Sequence, residues 1–177
     1  MMLKIAITPE RPPQRLIKHL LTIEPFIDGV ILRLSDSDDA YIVIQSLLQA
    51  GFDKKKLIVH SDVTLLNFFQ LSRIHFRQGD RTAYNLKEKR PQLSVSMAVH
   101  SVSACQEALW HHLDYGLYSH LFPTPSKPDQ VPRTPLEIKE ALATGLPLIA
   151  LGGITAETLP QLPAGFVGYA GIRLFEC

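Results

Sequence analysis

The sequence predicts an α/β protein: a compact (β/α)8, or TIM, barrel with a truncated final helix. Three observations carry that expectation. Eight short apolar runs alternate with helical periodicity or loops, which favours a parallel sheet over a meander. The seventh run ends in Gly152-Gly153, late in the chain, where (β/α) barrels place a phosphate site. The G-x-G-x-x-G signature of an open dinucleotide-binding sheet is missing after the first run. At 177 residues the chain is short for a closed barrel, whose usual length is about 250, and one domain over residues 1–177 is expected.

Leu3 to Ile7, ended by Thr8-Pro9, is the first strand. Leu16, Ile17, Leu20, Leu21 and Ile23 recur at three-and-four spacing after Pro12-Pro13, as in an amphipathic helix. Asp28-Gly29 turns into the second strand, Val30 to Leu34. Asp36 or Ser37 caps a helix carrying Ala40, Val43, Ile44, Leu47 and Leu48, and Gly51 stops it. Leu57 to His60 is the third strand, with a short helix from Val63 to Phe69. Arg73 to Phe76 is the fourth, with a helical turn from Ala83 to Lys89. Leu93 to Val99 is the fifth, and Ser101 or Ser103 caps the helix holding Ala104, Ala108, Leu109 and His112. Tyr115 to Tyr118 is the sixth, before a proline-rich loop from Pro123 to Pro132. Thr134-Pro135 starts a helix that ends near Gly145. Leu148 to Leu151 is the seventh strand, and Thr155 reads as the cap of a short helix after the glycine pair. Gly165 to Tyr169 is the eighth. Ala170 to Cys177 is too short for a full outer helix, so the flank between strands eight and one is expected to be thinly covered, with a homodimer as its cover.

Composition narrows the function. Apolar residues make up 46% and charged residues 20%, and the net charge of +1 offers no footprint for nucleic acid. No run reaches the length of a membrane span, and the N-terminus lacks the long apolar region of a signal peptide. Cys105 and Cys177 form no metal or redox motif, which fits a reduced, cytoplasmic setting.

Barrel active sites gather at the C-terminal ends of the strands. This sequence puts Arg33, His60, Asp62, Arg77, Gln78, Asp80, His100, His120, Lys127 and the Gly152-Gly153 turn there. His120 is the candidate acid/base, since a histidine exchanges protons near neutral pH. His100 is a second candidate base, or a structural histidine beneath the rim. Lys127, beside two hydroxyls in Pro123-Thr124-Pro125-Ser126-Lys127, offers a point charge for phosphate. Arg33 lies inside an apolar strand, in its C-terminal half, and must find an anionic or hydrogen-bonding partner. Asp62 and Asp80 fit helix and turn starts as well as they fit magnesium, and no dense carboxylate cluster supports a metal. Gly152-Gly153 serves either a phosphate or a tight strand-to-helix connection.

These pieces, in this order, resemble the thiamine phosphate synthase superfamily of small (β/α)8 barrels. The matching residues are Arg33, Val99-His100-Ser101, Ser119 through Lys127, Ile149 through Thr155, and Gly168 through Ile172. Within it the chain looks more like the TenI branch, the thiazole tautomerases. Synthases carry a glycine-proline pair where this chain has Ser119-His120, whereas the TenI branch has histidine and gives it the acid/base role. The resemblance implies isomerisation of a thiazole carboxylate phosphate in thiamine biosynthesis, without a cofactor. It implies His120 as catalyst and Arg33, His60, His100 and Lys127 as substrate-binding residues. The turns at Gly152, Gly153, Ala170 and Gly171 would hold the phosphate. Against the synthase pattern, Ile31 and Ser35 replace a glutamine and a lysine, His60-Ser61 replaces an asparagine-aspartate pair, and Ala98 replaces a serine. Only Asp80 keeps a magnesium ligand. A magnesium-dependent synthase and a non-catalytic phosphate-binding paralogue are the alternatives.

Overall fold

Alternate residues of each strand serve two different cores. The computed structural model describes residues 1–176, and Cys177 lies outside them. Eight parallel strands close in sequence order: β1 (Leu3–Ile7), β2 (Gly29–Leu32), β3 (Leu57–His60), β4 (Arg73–Phe76), β5 (Ser94–Val99), β6 (Tyr115–Ser119), β7 (Leu148–Leu151) and β8 (Gly168–Gly171). The last joins the first, Leu3 opposite Gly168 and Ile5 opposite Ala170. Ile5, Ile7, Ile31, Ile58, Leu117 and Ile149 form one buried cluster inside the barrel. Their sequence neighbours Ala6, Val30, Leu32, Leu57, Val59 and Leu148 belong to a second cluster, shared with the helices. The period of two along a strand produces both.

The outer layer is α1 (Pro13–Ile23), α2 (Ser37–Gln49), α3 (Val63–Phe68), α4 (Arg81–Lys89), α5 (Val102–Trp110) and α6 (Pro135–Ala143). Leu16, Leu20 and Ile23 of α1 and Val43, Ile44 and Leu47 of α2 are its buried stripes. Five helices begin with a side-chain cap: Asp36, Asp62, Asp80, Ser101 and Thr134 each accept a backbone N–H of the first turn. Thr134 and Glu137 complete a reciprocal capping box. At the opposite end of the barrel Lys87 donates to Asp114 at 2.8 Å and to the Pro91 and Leu93 carbonyls, tying the end of α4 to the starts of β5 and β6. No helix is long and apolar enough to cross a membrane among the described residues.

Three expectations need correction. The eighth strand is Gly168–Gly171, because Gly165, at φ +113°, still bends the chain and pairing with Leu3 begins at Gly168. No helix starts at Thr155: its hydroxyl accepts from Thr158 within a turn, and only the 3-10 segment Leu159–Gln161 follows. The turn expected at Ala83 to Lys89 is a full helix from Arg81, capped by Asp80. After β8 the described chain makes a 3-10 turn, Arg173–Phe175, and Glu176 pairs with Arg11 at 2.8 Å.

The glycine pair is where the β6–α6 connection meets β7. Gly152 has φ +97°, and a Cβ there would lie 2.2 Å from His120 Cβ and 2.6 Å from its Cα. A Cβ on Gly153 would lie 2.6 Å from the carbonyl oxygens of Phe122 and Pro123. Gly152→Ala therefore combines backbone strain with a backbone clash and should destabilise the fold by about 2–5 kcal/mol. Gly79→Ala, at φ +77° with open space around it, should lose only about 1 kcal/mol. Urea unfolding midpoints of the two variants check this; equal losses would show that the close approach carries no stability.

Candidate active site

The inner set of strand positions turns polar at the C-terminal end of the barrel. Two residues beyond Ile31 comes Arg33, beyond Ile58 His60, beyond His75 Arg77, beyond Ala98 His100, and beyond Leu117 Ser119. All of these except Ile58 line one cavity of about 490 Å³ at the strand ends, with Ile7, Glu10, Leu34, Ser35, Lys127 and Leu151 completing its wall. The same period that fills the barrel with isoleucine thus assembles the site above it.

Its charge is lopsided. Arg33, Arg77 and Lys127 line the cavity, and none makes an ion pair among the described residues. Glu10 is the single carboxylate in the wall, taking a 3.5 Å contact from the Ser35 hydroxyl. Asp62 and Asp80 stay outside it. Asp62 accepts from the Leu65 amide and the Ser37 hydroxyl, and Asp80 from the Thr82 amide. No group of three or more histidine, cysteine, aspartate or glutamate side chains is placed to hold a metal ion among the described residues. Three cations without an ion-pair partner among the described residues thus gather around one concavity, and their combined field favours anions.

Three histidines share the cavity. His75 is 5% exposed, and its Nδ1 lies 2.8 Å from the Ser96 hydroxyl. Burial, with the neighbouring His60, pushes its imidazole down to about 3. The His60 ring lies 5.9 Å from that of His75. It is lowered by burial first and then by Arg77 and Arg33. His100 holds Nδ1 3.1 Å from the Ser119 hydroxyl, while its amide donates to Gln78 Oε1 at 2.7 Å. Burial lowers it too; the contact with Ser119 opposes this, and Lys127, Arg133 and His120 add to the lowering. All three imidazoles are therefore held below the ordinary value of 6.5, by burial first in each case and, at His60 and His100, by nearby arginine or lysine as well.

The structure brings together Arg33, His60, His100 and Lys127 as expected from sequence, but not His120. That side chain is 1% exposed and absent from the cavity wall. Ser119 occupies the inward position, so the next residue turns to the outer side, where His120 packs against Gly152. Its Nε2 lies 3.2 Å from the Gln130 carbonyl and its Nδ1 has no partner. The Ser119–His120 peptide is cis. Gly152 and Gly153 donate no backbone hydrogen bond to other described residues. Continuing the β7–β8 register past Ala150 and Tyr169 places Gly152 level with Gly171. The two expected phosphate turns are therefore neighbours, although no helix stands behind Gly153. His75, Ser119 and Glu10 were missed. His75 and Ser119 could have been found by counting in twos from Arg77 and Leu117; Glu10 lies in a loop with no such signal.

Protonation of His75 carries a stability consequence. Its folded value lies far below its unfolded one, so its neutral form contributes full stability above about pH 6.5, and that contribution is lost as pH falls toward 3. At pH 5 wild type should have lost about 2 kcal/mol more, relative to pH 7, than His75→Gln. Urea titrations at the two pH values measure this, and parallel profiles for the two proteins would refute it.

Comparison with known proteins agrees with this geometry. Residues 6–175 match the sequence-family model described as thiamine monophosphate synthase (TMP-TENI). The thiamine-phosphate synthase of Anoxybacillus flavithermus is 33% identical over 119 residues, covering 65% of this chain and 55% of that protein. The chain thus spans little more than half the length of this relative. The thiamine-phosphate synthase of Xanthomonas campestris is 29% identical over 166 residues, 88% of this chain and 78% of that one. In fold the chain is similar to the thiamine phosphate pyrophosphorylase of Pyrococcus furiosus, with a TM-score of 0.72 at 17% identity over 97% of this chain and 85% of that one. With a matching barrel, a cation-lined mouth and a family match over nearly its whole length, this chain belongs to the thiamine monophosphate synthase (TMP-TENI) family.

Proposed function

We propose that this protein binds a phosphorylated thiazole precursor of thiamine and isomerises it to its aromatic tautomer by moving one proton between two of its carbons. The observation that supports anion binding most directly is the set Arg33, Arg77 and Lys127, unpaired around one cavity. The phosphate would sit at the Gly152-Gly153 and Ala170-Gly171 turns, whose backbone N–H groups suit a bound oxyanion. Arg33 and Lys127 would neutralise phosphate and carboxylate charge.

The proton carrier in this reading is His100 rather than His120. His100 lines the cavity with Nδ1 held by Ser119, which leaves Nε2 as the exchanging nitrogen. Held below 6.5 by burial and nearby cations, His100 is neutral at pH 7 and can accept a proton. The proton leaves a ring carbon for His100 and returns to a carbon outside the ring as the ring becomes aromatic, so no atom is gained or lost. His60 and His75 add neutral hydrogen-bonding groups to the wall, where a charged group would compete with the substrate's anion.

The second reading, a thiamine-phosphate synthase, draws on the names of the relatives. Magnesium belongs to that chemistry in the resemblance, and the residues here do not fit it. Asp62 and Asp80 are engaged as helix caps, and the cavity wall offers Glu10 alone. Position 61, where the synthase pattern has aspartate, is a serine.

A proton NMR time course with the thiazole carboxylate phosphate tautomer separates the readings. Wild type should convert it, His100→Asn should be at least about a hundredfold slower, and His120→Gln should stay within about fivefold of wild type. The acidic limb of kcat/KM should lie below pH 6.5, as a lowered His100 requires. Undiminished turnover by His100→Asn would remove that residue from the chemistry. Pyrophosphate release from a pyrimidine pyrophosphate plus thiazole phosphate, without isomerisation, would establish the synthase instead. Saturable ligand shifts with neither reaction would leave a binding protein.

A further inference from the structure

The loop between β6 and α6 carries Lys127 into the cavity, and its attachment to the barrel is sparse. Leu121 and Phe122 still pair with β7 and the glycine turn, through the Leu151 and Gly152 carbonyls. Arg133 closes the far end, its amide on the His120 carbonyl at 2.9 Å and its Nε on the Ser119 carbonyl at 3.0 Å. Between them, residues 123 to 131 hydrogen-bond almost entirely among themselves. Lys127 donates to the Thr124 carbonyl, Gln130 to the Lys127 carbonyl, and Ser126 to the Thr124 hydroxyl. Among the described residues one hydrogen bond joins this segment to the rest of the barrel, donated by His120 Nε2 to the Gln130 carbonyl at 3.2 Å.

We propose that His120 is the anchor of the β6–α6 loop, a positioning residue that acts on anion binding by holding Lys127 at the cavity. A carbonyl only accepts, so Nε2 must carry the proton and donate. Nδ1 is then a bare acceptor, buried without a partner, at a cost of about 1–3 kcal/mol. An apolar side chain in this pocket would avoid that cost but could not hold the loop. The remaining loop is already stiffened by Pro123, Pro125, Pro128 and Pro132, so one fixed point orients much of it. Only Pro128 and Asp129 lie between Lys127 and Gln130, and the Gln130 amide donates to the Lys127 carbonyl, so the anchor and the cation move together.

The ligand part of this inference rests on the anion reading of the cavity; the loop part does not, and the experiment keeps them apart. Hydrogen exchange of the Lys127 and Gln130 amides should accelerate at least about tenfold in His120→Leu, with β6 and β7 amides unchanged, and return in His120→Gln, whose amide can donate to the same carbonyl. In wild type, long-range nitrogen–proton spectra should show His120 protonated at Nε2. Titration with inorganic phosphate should give about a three- to tenfold weaker Kd in His120→Leu and in Lys127→Ala, and no further loss when the two are combined. Unchanged loop exchange, or a proton on Nδ1, overturns the anchor. Additive losses overturn the route through Lys127. Faster loop exchange with no phosphate binding by any of the proteins, wild type included, keeps the anchor and overturns the anion reading.

Discussion

Closure of the sheet is the constraint on which the rest depends. Once β8 pairs with β1, every strand has two neighbours and every strand residue has a side, inside or outside. The inside is narrow. Ile31, Ile58, Leu117 and Ile149 fill it, and the same four strands need only two more residues, or a short turn, to reach the rim. Function is therefore confined to positions that share the parity of the core. Arg33, His60, Arg77, His100 and Ser119 all obey this count. The outer helices settle the rest by occupying the acidic residues at the same end, since Asp62 and Asp80 are each drawn into a first helical turn.

That division explains the electrostatics of the mouth. Carboxylates that could have neutralised the rim are turned toward backbone N–H groups, which leaves Arg33, Arg77 and Lys127 unpaired around the cavity. Burial dominates the lowering of His60, His75 and His100, and at His60 and His100 the neighbouring cations add to it. Neutral imidazoles can donate or accept at a substrate without altering its net charge. The cavity thus holds two kinds of group, fixed positive charge on arginine and lysine and imidazoles lowered below their ordinary value.

Much of this was legible in the sequence, for physical reasons. Strand positions came through because buried apolar runs of four to six residues flanked by turn residues have few other uses; β1, β3, β4 and β7 fall where the runs place them. Helix starts were legible through Asp36, Ser101 and Thr134, whose side chains cap as their residue types suggest. The eighth strand was misplaced because Gly165 to Val167 is apolar enough to pass for strand, and only pairing with Leu3 marks the true beginning. In the site, residues adjacent to recognisable motifs were found, whereas Glu10 was not, since a loop position has no periodicity. His75 hid inside an apolar strand, where a lone histidine is usually only a core residue.

His120 shows where reading along a line of sequence stops. Ser119 and His120 are adjacent, and both belong to the segment that carries the family resemblance, yet a one-residue step changes the side of the wall. The inward hydroxyl meets His100, while the outward imidazole meets a loop carbonyl and the place where Gly152 has no Cβ. Gly152 is consequently tied to His120 by volume, just as Gly153 is tied to the Phe122 and Pro123 carbonyls. A larger residue at either glycine would push the β6–α6 connection outward, and Lys127 with it. The glycine pair is therefore held by close packing against the loop that carries Lys127, and in the proposed function its amides would also face the anion. The close packing alone suffices to exclude a side chain there.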